Sequence, residues 1–272
     1  MGATSSSAFW MDISFDHSLQ HLNAFYEKQY PPPRIIKNVQ FSINDAKKLL
    51  DKKNLFPDIT LILDIDATLG EACSIYNKDD KLFLDGKQVN KYDIYRLLEN
   101  RYARLFHNGT CLFFIRPYFE QFIRFCDNNF KEVIIWTNGI QQHADDMVSL
   151  VKNTIGKEWK GLGREYSTNE RKIVSTIGLD PNKTWLVDDD NRHYYVSQTD
   201  DSLSVNPDIK FFHSPEFSML WFKDLHEKIP FLGKTLQIYD DWFLFLIWNW
   251  NYMKENGIDM KEYIRNKKTF IY

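Results

Sequence analysis

The sequence predicts an α/β protein in which helices flank a parallel sheet. Three apolar segments of strand length, 59–65, 132–136 and 184–187, are each followed by polar residues. Apolar residues at helical spacing lie between them, as in residues 119–126. Strands that alternate with amphipathic helices are typical of a parallel α/β sheet, so we expect these three strands to be neighbours in one sheet.

Local signals predict the elements before and between these strands. Ser42 precedes a segment of helical composition at 43–50, which indicates a capped helix. Residues 82–89 contain the Asp-Gly turn of a hairpin. We expect a helix at 92–106 and a further strand at 111–115.

The second half of the chain continues the alternation. Residues 140–151 carry an apolar face at helical spacing, and residues 170–177 are predicted to form a helix that ends at Gly178. Residues 242–248 are apolar nearly all round, which suits a buried helix. This run is much shorter than the roughly 20 residues needed to span a bilayer.

We expect three segments along the chain. An N-terminal arm and leading helix occupies 1–57, a main domain occupies 58–230 with an insertion at 70–110, and a helical extension occupies 231–272. Gly2 with Ser6 fits the pattern for N-myristoylation, and a single acyl chain of this kind anchors a protein only weakly to membranes.

Composition excludes several classes of protein. An aromatic share of 16% is too high for a disordered chain, and a formal net charge of −3 disfavours broad electrostatic capture of nucleic acid. Cys73, Cys111 and Cys126 are too few and too scattered for a disulfide framework or a cysteine zinc site. We therefore expect reduced thiols in an intracellular protein of the cytoplasm or nucleus.

Polar groups at the strand ends are the candidate site. They are Asp64, Asp66, Thr68, Thr137, Asn138, Asp188 and Asp189. Ligands of parallel sheets bind at the carboxyl ends of the strands, so these groups are expected to converge on one crevice. Neighbouring carboxylates repel one another unless a cation or a proton lies between them. The pattern favours a divalent metal ion with a phosphoryl substrate.

The order of these groups resembles the haloacid dehalogenase superfamily, whose first motif has the form Asp-x-Asp-x-Thr. Further features resemble its branch of RNA polymerase II C-terminal-domain phosphatases and NLI-interacting-factor-like proteins. These features are Arg116-Pro117, Trp136-Thr137, and Lys172 at a set distance before Asp188-Asp189. The resemblance covers about residues 58–230, and four motifs in order are far more specific than one. It implies a Rossmann-like parallel sheet with a small hairpin and helix insertion after the first motif.

The resemblance also implies the chemistry of a Mg²⁺-dependent phosphatase. Asp64 would attack phosphorus to form an aspartyl-phosphate, and Asp66 would serve as general acid and base. The phosphate of the substrate would be bound by Thr68, Thr137, Asn138 and Lys172. The metal ligands would come from Asp64, Asp66 through its backbone carbonyl, Asp188 and Asp189.

Substrate and function class are open at this stage. The short spacing between Thr137 and Lys172 leaves no room for a large second cap, and an open cleft suits a phosphorylated peptide. We expect a protein serine/threonine phosphatase. The alternatives are a phosphatase of nucleic-acid ends or nucleotides, and a non-catalytic binding module that docks a partner through the aromatic C-terminal segment. The histidines show no metal spacing and are expected in the core or at the surface.

Overall fold

The computed structural model describes residues 42–84, 86–99, 103–190, 195–199, 202–205, 210–214, 217 and 240–258. The helices are α1 (Ile43–Leu49), α2 (Lys91–Glu99), α3 (Phe119–Asn129), α4 (Gln141–Ile155) and α5 (Trp242–Glu255). The strands are β1 (Phe56–Leu63), β2 (Gly70–Lys78), β3 (Lys81–Leu84), β4 (Lys87–Val89), β5 (Ala103–Phe106), β6 (Cys111–Ile115), β7 (Phe130–Trp136), β8 (Lys160–Leu162), β9 (Thr184–Asp188), β10 (Tyr195–Thr199), β11 (Ser202–Val205) and β12 (Lys210–His213). The predicted arm before residue 42, with Gly2, lies outside the described residues.

A five-stranded parallel sheet forms the centre of the fold, in the order β12-β9-β1-β7-β8. The chain builds the sheet outward from β1, first through β7 and β8 on one side and then through β9 and β12 on the other. The strand order therefore reverses beside β1, which is where parallel α/β sheets bind ligands. The predicted fold class, a parallel sheet flanked by helices, is confirmed.

The insertion after β1 is more extensive than the predicted hairpin and helix. β4, β3, β2, β6 and β5 form a second, antiparallel sheet in that order. The strand predicted at 111–115 exists as β6, but it pairs with β2 and β5 and does not join the parallel sheet. β2 and β6 approach closely at Gly70, where a Cβ atom would lie 2.1 Å from the carbonyl oxygen of Phe114.

Two predicted helices are wrong in part. The helix expected at 92–106 ends at Glu99, and Ala103–Phe106 is strand β5 because it hydrogen-bonds to β6. The helix expected at 170–177 is a short 3₁₀ turn, Val174–Ile177, that ends at Gly178 as expected. Glu170 has a positive φ of 61°, and Thr168 exchanges backbone hydrogen bonds with Arg171, so the start of this segment cannot be helical.

The apolar helix α5 lies inside the main core, as its composition predicts. Its rings pack against α3 and the parallel sheet. Phe243 stacks on Phe122 with ring centroids 4.1 Å apart, and the fully buried Trp250 contacts Phe130 and Trp185. α5 has 14 residues, and no helix in the described part of the chain is long and apolar enough to cross a membrane.

We expect Trp250→Ala to lower the free energy of unfolding by about 3–5 kcal/mol, because it removes a large ring from a fully packed environment. Urea unfolding followed by circular dichroism measures this loss. Tyr92→Ala is the matched control, since the Tyr92 ring is 75% exposed and its truncation should change stability little. Similar losses in the two variants would contradict the placement of Trp250 in the core.

Candidate active site

Three carboxylates from distant parts of the chain meet at the edge of the parallel sheet. Asp64 follows β1, Asp188 ends β9, and Asp189 comes next. One carboxylate oxygen from each lies within 4.8 Å of the other two. Strand pairing explains this convergence: Leu63 pairs with Val187, so the following residues of both strands lie at the same level. The backbone N–H of Asp64 also donates to the carbonyl oxygen of Val187 at 2.9 Å.

The ammonium group of Lys172 lies between two of these carboxylates. It donates to Asp64 and, at 2.6 Å, to Asp188. The side chain is completely buried. Burial lowers the pKa of Lys172, but the negative charges of Asp188 and Asp64 outweigh it, and the pKa is raised overall. Lys172 therefore stays charged at any ordinary pH.

One ammonium group does not neutralise three carboxylates. Burial, and next the charge of Asp188, raise the pKa of Asp64 well above its usual value. The same two causes raise the pKa of Asp189 to about 6. Mg²⁺ prefers carboxylate and carbonyl oxygens, and a divalent ion would offset the excess negative charge. The donor set thus fits the metal that the sequence predicts.

The side chains of Asp66 and Thr68, the two other residues of the first motif, have different surroundings. Thr68 is fully buried, and its hydroxyl donates to Oδ1 of Asp189 at 3.2 Å. Asp66 has a side chain that is 48% exposed and does not belong to the carboxylate group. Between them Ala67 has a positive φ of 58°, and this turn separates the two side chains. Thr68 therefore lies against the acidic cluster and the Asp66 carboxyl lies outside it.

Asp66 instead contacts His143, which in turn contacts His107. Its Oδ1 atom lies 3.0 Å from Nε2 of His143, in the first turn of α4. Nδ1 of His143 lies 3.1 Å from Nε2 of His107. The backbone N–H of His107 donates to Oδ2 of Asp146 at 2.7 Å. A chain of polar contacts therefore runs from Asp66 through His143 to His107, whose backbone is held by Asp146 of α4.

Thr137 and Asn138 lie at the end of β7, the other neighbour of β1. Thr137 is buried, and its hydroxyl accepts from the backbone N–H of Gly139 at 2.9 Å. The amide of Asn138 donates to the carbonyl oxygen of Glu170 and accepts from the hydroxyl of Ser167. Asn138 thus holds the segment that leads to Lys172.

Arg116 connects the first motif to α5. It is buried and forms an ion pair with Asp240, Nε to Oδ2 at 2.9 Å. It also donates to the carbonyl oxygen of Thr68 at 3.1 Å and to the hydroxyl of Ser214 at 2.8 Å. Its guanidinium lies 5.5 Å from the ring centroids of both Phe217 and Phe243.

Comparison with known proteins assigns the chain to a family. The sequence model of the NLI interacting factor-like phosphatases matches residues 59–219, more than half of the chain. The chain belongs to this family. The match confirms the family and the phosphatase class of enzyme that the sequence predicts. A comparison with curated proteins finds no match.

Solved structures give more distant likenesses. One is the fission yeast RNA polymerase II CTD phosphatase Fcp1 bound to beryllium fluoride, with 18% identity and a TM-score of 0.41, covering 65% of this chain and 45% of that one. Another, Fcp1 described as an essential RNA polymerase II CTD phosphatase, has 16% identity and a TM-score of 0.48, covering 83% of this chain and 68% of that one. These overlaps are partial, and the strand order described above defines the fold.

No pattern in the sequence indicated a role for His107, His143 or Asp240. A histidine on the apolar face of α4, next to Ala144, is the signal in the sequence closest to the observed contact. Its partner Asp66 lies 77 residues away. Local spacing carries no information about such a contact, and the same holds for Asp240, which lies 124 residues from Arg116.

The pKa of Asp189 predicts how stability depends on pH when no metal is added. Folding raises this pKa from 3.8 to about 6, so the folded chain holds the proton more tightly than the unfolded chain. The contribution of Asp189 to the free energy of unfolding therefore falls as the pH rises from about 4 to about 6. With EDTA present, we expect Asp189→Asn to gain stability over the parent protein across this range.

Urea unfolding at a series of pH values measures the difference between the two proteins. Asp51→Asn is the control, because Asp51 is an exposed aspartate at the end of α1. Its substitution at an exposed position should change the free energy of unfolding little. A pH-independent difference for Asp189→Asn would contradict the crowding of charge at the site.

Proposed function

We propose that this chain is a Mg²⁺-dependent phosphatase that hydrolyses phosphomonoesters through an aspartyl-phosphate on Asp64. The observation that supports the proposal most strongly is the meeting of Asp64, Asp188 and Asp189 around Lys172, where the strand order of the parallel sheet reverses. Membership of a phosphatase family points to the same reaction.

The metal would be held by oxygens of the acidic cluster. Asp64 and Asp189 supply carboxylates, Asp66 supplies its backbone carbonyl, and Asp188 binds directly or supports the others. When bound, Mg²⁺ would neutralise charge on the phosphoryl oxygens and orient the phosphoryl group towards Asp64. Thr68 holds one of these ligands in place, because its hydroxyl donates to Asp189.

In the first step, a carboxylate oxygen of Asp64 attacks phosphorus as the bond from phosphorus to the ester oxygen breaks. The electron pair of that bond stays with the leaving oxygen, and Asp66 gives this oxygen a proton. Lys172, Thr137 and the backbone N–H groups near Asn138 stabilise the charge on the transferring oxygens. Stabilisation of this charge is most of what such a site must do.

In the second step, water attacks phosphorus and the bond from phosphorus to the Asp64 oxygen breaks. Asp66, now a carboxylate, takes a proton from the attacking water. Phosphate leaves, and Asp64 is again a carboxylate. Asp66 can serve both steps because its side chain is half-exposed beside the cleft, whereas Asp64 is buried.

The substrate that suits this site best is phosphoserine or phosphothreonine in a protein. The chain between Thr137 and Lys172 consists mainly of α4, β8 and short turns, so this stretch forms no second cap over the cleft. Without such a cap, the site would admit a polypeptide. The net charge of −3 gives no overall basic field to attract a nucleic acid.

We expect Asp64→Asn to lower the hydrolysis of an aryl phosphate with Mg²⁺ by about 10³-fold or more, because an amide cannot form the covalent intermediate. Release of the phenol gives the rate. Asp51→Asn, the exposed control, should keep the rate of the parent protein. Equal rates in Asp64→Asn and the parent would contradict an enzymatic function through Asp64 and favour the non-catalytic binding module.

We expect faster turnover of a phosphoserine peptide than of an oligonucleotide carrying a terminal phosphate, compared as kcat/KM at equal ionic strength. The reasons are that no second cap lies between Thr137 and Lys172 and that a net charge of −3 gives no overall electrostatic attraction for nucleic acid. Phosphate release is measured with both substrates, and Asp64→Asn gives the background. Preference for the oligonucleotide would indicate that the substrate is a nucleic-acid end and not a phosphorylated protein.

A further inference from the structure

We infer that His143, supported by His107, is a positioning residue that holds the carboxyl group of Asp66 in the orientation needed to protonate the leaving group. The inference rests on the proposed function, in which Asp66 is the general acid. His143 and His107 thereby gain a function, whereas their spacing in the sequence indicated only core or surface positions.

The hydrogen-bond roles of the three side chains follow from one another. A carboxylate oxygen of Asp66 only accepts, so Nε2 of His143 must be the donor across 3.0 Å. A neutral His143 then has Nδ1 as its acceptor, and Nε2 of His107 donates to it across 3.1 Å. Each contact sets the direction of the next, so the chain of hydrogen bonds fixes the tautomer of His143.

His143 itself has little freedom to move. Its side chain is 4% exposed, and its ring lies edge-on to Phe106 and Phe113, with centroids 5.6 Å and 6.1 Å away. His107 is anchored through its backbone N–H to Asp146 on α4. The ring that contacts Asp66 is therefore held by the core and not by the cleft.

Asp66 needs such support because its own position gives little. The residue lies between β1 and the turn that begins at Ala67, where its backbone bridges to Gly70, but its side chain is 48% exposed. His143 contacts only one carboxyl oxygen, Oδ1. Within the described ranges no protein group hydrogen-bonds to the other oxygen, which leaves it available to carry the proton to a substrate. A carboxyl group fixed at one oxygen presents the second in a constant direction, and orientation of this kind speeds proton transfer.

A comparison of substrates distinguishes a positioning role of His143 from a purely structural one, because loss of a structural histidine would lower turnover of all substrates alike. An aryl phosphate has a leaving group that departs with little help from an acid, whereas the alkyl oxygen of phosphoserine must be protonated. Loss of the His143 contact should therefore lower turnover of phosphoserine selectively. The quantity kcat/KM is used because it reports only the steps up to release of the alcohol or phenol.

The test compares His143→Phe with His143→Gln. Phe keeps an aromatic ring between Phe106 and Phe113 but has no donor, whereas Gln keeps an N–H donor at a similar distance from the backbone. For His143→Phe we expect kcat/KM on a phosphoserine peptide to fall about 10- to 100-fold, with a change of about threefold or less on an aryl phosphate. His143→Gln should restore most of the loss. Ser149→Ala, an exposed position on α4, is the control for changes to the helix.

A double-mutant cycle shows whether His143 acts through Asp66. Asp66→Asn should itself discriminate against the phosphoserine peptide, and adding His143→Phe should cause little further loss. Equal losses on both substrates, or a full additional loss in the Asp66→Asn background, would overturn the inference. Failure of the parent protein to hydrolyse the aryl phosphate would instead contradict the proposed function.

Thermal unfolding of each variant shows that it is folded. If His143→Phe does not fold, His107→Phe takes its place, because it removes the donor to Nδ1 while leaving His143 intact. The expected discrimination is then smaller but in the same direction, and its absence would overturn the inference.

Discussion

The ion pairs of Lys172 with Asp64 and Asp188 place the strongest physical constraint on this structure. Taking an ammonium group and carboxylates out of water costs several kcal/mol per ion, and only close pairing can offset that cost. Here the pairing is close but incomplete, because Asp189 adds a third carboxylate. A site that still carries excess negative charge after its internal pairing is suited to bind a cation, which is what phosphoryl transfer requires.

This constraint explains irregular features of the nearby chain. Lys172 must reach the ends of β1 and β9 from a segment that approaches from the side of β7. An α-helix through residues 170–177 would not be compatible with the observed backbone there, where Asn169 and Glu170 have positive φ values. Asn138 ties the segment to the end of β7 through the carbonyl oxygen of Glu170. The backbone is therefore irregular where it positions the buried ammonium group of Lys172.

Much of the fold and of the acidic cluster could be predicted from local sequence. The C-terminal halves of β1 and β7, and all of β9, are buried on both faces, and polar residues at the strand ends mark the crevice. The convergence of Asp64 and Asp189 follows from the rule that parallel strands end on the same side. These predictions needed only periodicity and the direction of the strands.

The failures of prediction share a cause, which is contact with residues outside the segment whose pattern was considered. β5 was expected as part of a helix, and its strand conformation depends on pairing with β6. β6 was expected as a strand, but an apolar strand gives no sign of its partners, which are β2 and β5. The contact of His143 with Asp66 is equally invisible, since a histidine on an apolar helix face has many satisfactory neighbours in a core.

The position of α5 has a consequence for how this protein is divided. The family match ends at residue 219, whereas the main hydrophobic core includes Phe243, Leu246 and Trp250. Asp240, just before α5, is paired with the arginine that also contacts the carbonyl oxygen of Thr68. The unit that folds together is therefore longer than the set of motifs by which the family is recognised. Substitutions at Asp240 or in α5 act on the position of Thr68, and so on the crevice, through Arg116.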